Sequence, residues 1–145
     1  MPHSDELLAL AEALRPALLR ASRHLRRDAP KAGVSALDAQ ILTVVERNPG
    51  IGGGALADRE QMTRPSMSGH LKRLEAAGWI VRDQAEEGDR RRVGVNITAA
   101  GRTALEAIRG RRNDWLAARL ADLPPSSREA LAAAVGPLAR LAGQR

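Results

Sequence analysis

The chain has 145 residues and a formal net charge of +6 at pH 7, enough length for one domain with a real core and too little for two ordinary ones. The absence of cysteine excludes disulfides, thiolate metal sites and thiol redox sensing, and with Trp79 and Trp115 as the only aromatic residues a stacking platform for single-stranded bases is disfavoured. Nearly all of the positive charge is arginine, which suits bidentate contacts with phosphate and guanine, but its placement rather than its total must separate a ligand surface from compositional bias.

The N-terminal stretch places acids at Asp5, Glu6 and Glu12 and a proline at Pro16. It has neither the basic start nor the unbroken apolar run of a signal peptide, and no segment approaches the roughly 18 consecutive apolar residues of a membrane span. A cytoplasmic protein is expected. Ser4 is placed to cap a first helix in which Leu7, Leu10, Leu14, Leu18 and Leu25 recur at helical spacings of three, four, four and seven residues. That narrow seam suits a partner chain's helix, with packing on its own domain as the alternative. Pro16 is expected to kink this helix or make it restart. Arg20, Arg23, Arg26 and Arg27 suit the helix dipole at its end.

A loop, DAPKAG, precedes a second helix. There Ser35 with Asp38 makes a capping arrangement, and Leu37, Ile41, Leu42 and Val45 form the apolar stripe as far as Arg47 and Asn48. The breaker NPGIGGG follows and reads as loop. Without a preceding strand or a following Gly-Lys-Ser/Thr, its glycines do not make a phosphate cradle. Gly54 to Glu60 reads as a short helix with Leu56 inward.

Met62 to Gly78, MTRPSMSGHLKRLEAAG, is the next helix, with Thr63 as cap, Pro65 tolerated in its first turn and Gly78 at its end. Met67, Leu71 and Leu74 form its buried face. Arg64, Ser66, Ser68, Gly69, His70, Lys72 and Arg73 lie largely elsewhere, and no acid occurs on that outer face before Glu75. Trp79 to Thr98 reads as two short strands around an acidic and then arginine-rich tip. A polar cationic helix followed by a cationic hairpin is what a reader of duplex DNA needs, because phosphates attract the charge and base edges need short polar groups nearby. The acids Asp83, Glu86 and Glu87 are more simply solvated than metal-binding, so neither a metal nor a cofactor is expected.

Thr98 is predicted to cap a long helix with Leu105, Ile108, Trp115, Leu116 and Leu120 on one side and a weak point at Gly110. Ser126 with Glu129 is the capping box of a last helix that contains Leu131, Val135, Leu138 and Leu141 and is interrupted at Gly136-Pro137. The histidines, His3, His24 and His70, have no zinc-ligand spacing and no serine elbow accompanies them, so an enzyme is not expected.

In this order the fragments Val34-Ser35 with Gln40, Ala55-Leu56-Ala57, Leu74-Glu75-Ala76-Ala77-Gly78, Asp89-Arg90-Arg91 and Ile97-Thr98-Ala99-Ala100-Gly101 resemble the MarR family of winged helix-turn-helix regulators. The resemblance implies a mainly α fold with a small β-wing, in which 34–98 form the winged helix-turn-helix and 4–33 and 99–142 supply dimerisation helices and a linker, all within one domain. It implies a homodimeric, cytoplasmic repressor that binds an inverted-repeat operator in double-stranded DNA, with the recognition helix in the major groove and the wing in the minor groove. Arg91 is then the wing arginine and Asp89 its brace, which agrees with the attraction of a guanidinium to a narrow minor groove. The DNA-facing set is Thr63, Arg64, Ser66, Ser68, Gly69, His70, Arg73, Arg90 and Arg91. The family often responds to small anionic aromatic effectors, for which Arg20, Arg23, His24 and Trp115 are candidate liners. The chain departs from the family pattern at Gly52-Gly53-Gly54, where a polar cap is usual, and at Pro16, Pro65 and Pro137. The competing function is a non-specific architectural DNA-binding protein without effector response.

Overall fold

The computed structural model describes residues 4–27, 34–83 and 94–143. In chain order these give α1 (Asp5–Arg26), α2 (Ala36–Arg47), β1 (Ile51–Gly52), α3 (Gly53–Arg59), α4 (Arg64–Ala76), β2 (Ile80–Asp83), β3 (Gly94–Ile97), α5 (Ala99–Ala121) and α6 (Pro125–Leu141). Residues 1–111 and 112–145 form two compact units.

The core lies in the first unit. Ile41, Leu42 and Val45 of α2, Leu56 and Ala57 of α3, Met67, Leu71 and Leu74 of α4, Ile80 of β2, Val95 and Ile97 of β3 and Leu105 of α5 make one cluster. Val34, Ala39 and Ile108 make a second, and Trp79 packs against both. These are the stripes that helical and strand periodicity predict, because an apolar face is stable only where other apolar faces cover it. Trp79 is half-buried and precedes the first wing strand, which starts at Ile80.

The sheet departs from the two-stranded expectation. Its order is β1-β3-β2, with β3 antiparallel to both neighbours. Ile80 pairs with Ile97 and Arg82 with Val95, as a hairpin requires, while Ile51 pairs with Val95 from the other side. The NPGIGGG breaker therefore holds a two-residue strand. Such a strand exists only through its partner and leaves no periodicity to read.

The helix ends follow their residues closely. Ser4, Ser35 and Thr63 each accept a hydrogen bond from the backbone N–H three residues on. Thr98 accepts from Gly101 N–H at 3.0 Å and donates to the Gly78 carbonyl at 2.6 Å, so one hydroxyl starts α5 and ties it to the end of α4. Gly78 has φ +76°, with Gly78 N–H bonded to the Glu75 carbonyl and Trp79 N–H to the Leu74 carbonyl. That pair of bonds is the Schellman closure, which turns the chain from α4 into the wing.

Two expectations near the C-terminal end need correction. Gly136-Pro137 does not divide α6, and on α1 the helix runs through Pro16 without restarting. The Ser126–Glu129 capping box is not used: α6 starts at Pro125 with Pro124 as N-cap and no side-chain cap bond. The Pro124 carbonyl accepts from Ser127 N–H and Arg128 N–H instead. Pro125 explains the shift, since its fixed φ and missing N–H suit the first helical position and draw the helix start ahead of Ser126. The glycines before α3 carry no side-chain cap, and Gly52 acts as N-cap in an extended conformation.

Candidate nucleic-acid interface

The short helix α3 and the longer α4 are joined by Glu60 to Thr63, with Gln61 at φ +52°. Leu56 and Ala57 of α3 are fully buried, so α4 is carried on a packed platform. Gln40 of α2 hydrogen-bonds Glu60 at the end of α3, a polar tie on the outer edge of that platform.

Because Met67, Leu71 and Leu74 are the buried positions of α4, its other positions form a continuous outer face. Thr63, Arg64, Ser66, Lys72 and Arg73 are exposed there, and Ser68, Gly69 and His70 are half-buried. Gly69 has open space around it: a Cβ added there would meet nothing within 4 Å. A glycine inside a helix costs about 1 kcal/mol relative to alanine. Nothing among the described residues requires one at this position.

Two residues outside the expected DNA-facing set lie against the polar groups near this face. The first is Asp38, which the capping pattern assigns to the start of α2. Its backbone N–H does bond the Ser35 hydroxyl, but its carboxylate turns toward α4. Asp38 Oδ1 is 2.7 Å from His70 Nδ1 and 3.6 Å from Arg73 Nη2. Arg73 Nη2 is also 2.6 Å from His70 Nδ1. One ring nitrogen cannot both donate to the carboxylate and accept from the guanidinium. The Asp38 side chain is 11% exposed and Arg73 is 60% exposed, so the carboxylate has the greater need of a donor and the Nδ1 proton is assigned to it. Arg73 is then held by charge rather than by a directed bond.

The second is Arg82 on β2. Strand alternation puts it on the same side as buried Ile80, while Val81 and Asp83 are exposed. Its Nε is 3.0 Å from Glu75 Oε2, an ion pair without hydrogen-bond geometry, and its Nη2 is buried without a partner among the described residues. Arg82, Arg64 and Ser68 are the polar liners of a cleft of about 240 Å³ that also touches Gly53 and Gly54. The Arg64 guanidinium lies over Gly54, 3.5 Å from where a Cβ would stand. Two guanidinium groups and a hydroxyl beside a cationic helix can receive an anion. The inward arginine in the Ile80-Val81-Arg82-Asp83 alternation is the sequence signal for this group.

The wing candidates Asp89, Arg90 and Arg91 lie outside the described residues. The hairpin strands that carry them are paired in register from Ile80 with Ile97 to Asp83 with Gly94. Of the candidate effector liners, Arg20, Arg23 and His24 are brought together on α1, where with Arg27 they edge a cleft of about 230 Å³. Trp115 belongs to the second unit, with the Arg119 guanidinium 5.8 Å from its ring centroid. No group of three or more metal-ligating side chains occurs among the described residues, and no helix among them is long and apolar enough to cross a membrane.

A sequence profile described as MarR family matches residues 32–92. An HTH-type transcriptional regulator of Mycobacterium tuberculosis is 36% identical over 131 residues, which is 90% of each chain. A crystal structure of a Pseudomonas aeruginosa protein described as a transcriptional regulator superposes with a TM-score of 0.81 at 31% identity, covering 97% of this chain and 98% of that one. A MepR mutant of S. aureus, solved bound to an oligodeoxyribonucleotide, shares the fold with a TM-score of 0.67 at 17% identity over 94% of this chain and 98% of that one.

Proposed function

This chain belongs to the MarR family of DNA-binding helix-turn-helix transcriptional regulators, and within that family we propose that it acts as a homodimeric repressor of an inverted-repeat operator. It is a regulator and not an enzyme. The observation that carries the proposal is the polar surface of α4, where Thr63, Arg64, Ser66, Ser68, Gly69, His70 and Arg73 lie outside the buried stripe of Met67, Leu71 and Leu74 with no acid before Glu75. Arg64 and Arg73 reach guanine or phosphate, the serine hydroxyls bond to either, and Gly69 admits the duplex close to the backbone. Arg91 with Asp89 as its brace, and Arg90 beside it in sequence, are proposed to extend the contact into the adjacent minor groove.

Two copies are required to read an inverted repeat, with half-sites about 34 Å apart. The apolar residues left uncovered on α1 and α6 support a second copy as their partner. An anionic aromatic effector is proposed to meet the guanidinium groups of Arg20 and Arg23 beside His24 on α1, and Trp115 is a candidate on the strength of its ring. An effector of this kind acts by preferring a half-site spacing that DNA does not. Effector and operator should then weaken each other's binding by the same factor.

Selection from random duplex DNA is the direct test. The expected outcome is an enriched inverted repeat, for which Arg73→Ala and Arg91→Ala each cost about 1–3 kcal/mol of binding. Recovery of duplexes with no shared sequence, bound as tightly as random competitor, would favour the non-specific architectural reading instead.

A further inference from the structure

Asp38 is the only buried polar or charged residue among those described, at 7% exposure. An acid in the first turn of a helix ordinarily stays in water, where it complements the dipole at no desolvation cost. Here it is taken out of water and pointed at the next-but-one helix, 32 positions along the chain, where it meets His70 and Arg73. Both partners belong to the face proposed to read DNA, and neither contact is needed to bury the apolar stripe of α4, which Met67, Leu71 and Leu74 already complete.

We propose that Asp38 is a positioning residue for sequence reading: its carboxylate, acting through His70 and Arg73, sets how the recognition helix presents them to a base edge. The inference rests on the DNA-reading role of α4 proposed above. With Nδ1 donating to Asp38, the tautomer and the rotation of the His70 ring are set, and Nε2 is the nitrogen left for a base or phosphate. His70 is 15% exposed on its side chain, so it contributes one fixed atom rather than a mobile ring. Arg73 is held differently. Its guanidinium sits 3.6 Å from the same carboxylate oxygen while 60% exposed, attracted but not locked, so it can exchange that oxygen for a phosphate or guanine without leaving the carboxylate uncompensated. His70 stays with Asp38 when Arg73 moves. The pair thus divides the work between a fixed reader and a transferable cation, both referenced to the platform formed by α2.

Positioning is separable from the two simpler roles of a buried acid. If Asp38 only repelled phosphate, removing it would tighten selected and random duplex alike. If it only stabilised the fold, removal would weaken both in proportion to lost folded protein. A positioning role predicts that Asp38→Ala weakens binding of the duplex selected by the wild-type protein by about tenfold or more while affinity for random-sequence duplex holds or rises. Asp38→Asn keeps an acceptor for His70 Nδ1 and should recover most of the selectivity. In a His70→Ala background, Asp38→Ala should lower the selectivity ratio less than it does alone, since one of the two residues through which it acts is gone.

The measurement is the ratio of dissociation constants for the selected duplex and a random-sequence duplex, at one salt concentration, for full-length wild type, both Asp38 variants and the double variant. Ring nitrogen chemical shifts of His70 in the protein without DNA give a readout that does not depend on binding. They should report an Nδ1–H tautomer or a doubly protonated ring in the wild type and in Asp38→Asn. A ratio unchanged in Asp38→Ala, a loss that Asp38→Asn fails to recover, or a neutral Nε2–H ring in the wild type would each overturn the proposal. If the wild-type protein enriches no duplex, the reading of α4 as a sequence reader fails and this inference falls with it. Enrichment by the wild type with an unchanged ratio in Asp38→Ala sinks the Asp38 role alone.

Discussion

Gly101, in the first turn of α5, is fixed by backbone proximity. A Cβ there would stand 2.2 Å from the Trp79 carbonyl oxygen and 2.8 Å from Ile97 Cγ1. That carbonyl accepts the Thr98 N–H at 3.0 Å, so it cannot retreat without breaking the bond that joins the start of the wing to the start of α5. Gly101→Ala is therefore expected to destabilise the protein by about 1–3 kcal/mol, read as a lower midpoint in urea denaturation. Gly69 is the opposite case. With nothing within 4 Å of its would-be Cβ, Gly69→Ala should stabilise α4 by up to about 1 kcal/mol while weakening binding to the selected duplex. A variant that gains stability and keeps its affinity would remove the close-approach role of this residue.

The helix-turn-helix works as an element because α3 is too short to stand alone and α4 has only a narrow buried face. Seven residues make barely two turns, and such a helix persists only through packing. Leu56 supplies that packing at 0% exposure. Leu56→Ala should cost about 2–5 kcal/mol of stability. Cavity cost and loss of the platform under α4 go together, so duplex binding should fall at temperatures where circular dichroism still reports most of the helix. Most of this element is legible in the sequence. Thr63, the stripe of Met67, Leu71 and Leu74, and Gly78 define α4 from local rules, and the structure has each of them in the expected role. The start of α6 is not legible in the same way, because the Ser126–Glu129 pattern and Pro125 compete and the ring constraint of proline prevails.

At the scale of the whole molecule, the unfinished surface is apolar. Leu7, Leu8, Leu10, Leu18 and Leu19 of α1 are between 43% and 58% exposed, and α1 buries no residue within the chain. On α6, Leu131, Val135 and Leu141 are exposed, and that helix too buries none. Exposed apolar helices of this kind are what the proposed second copy would cover, with the same faces supplied in return. Leu10→Glu with Leu18→Glu should shift the protein toward monomer in sedimentation velocity and reduce affinity for the full inverted repeat more than for a single half-site. Dimers of unchanged stability in that variant would remove α1 from the interface.

The sequence by itself determined what depends on neighbours a few positions apart. Helix periods, caps at Ser4, Ser35, Thr63 and Thr98, the turn at Gly78 and the buried faces all follow from short-range sterics and hydrogen bonding, and their order brought out the family. Tertiary structure alone decided where the chain meets itself. The two-residue β1 exists because β3 lies beside it, and Arg82 faces inward because its strand has a core to face. Asp38 reads as a helix-capping acid until α4 is packed across α2. It is then a buried charge whose partners are His70 and Arg73, since a carboxylate removed from water must find its hydrogen-bond donors wherever the fold delivers them.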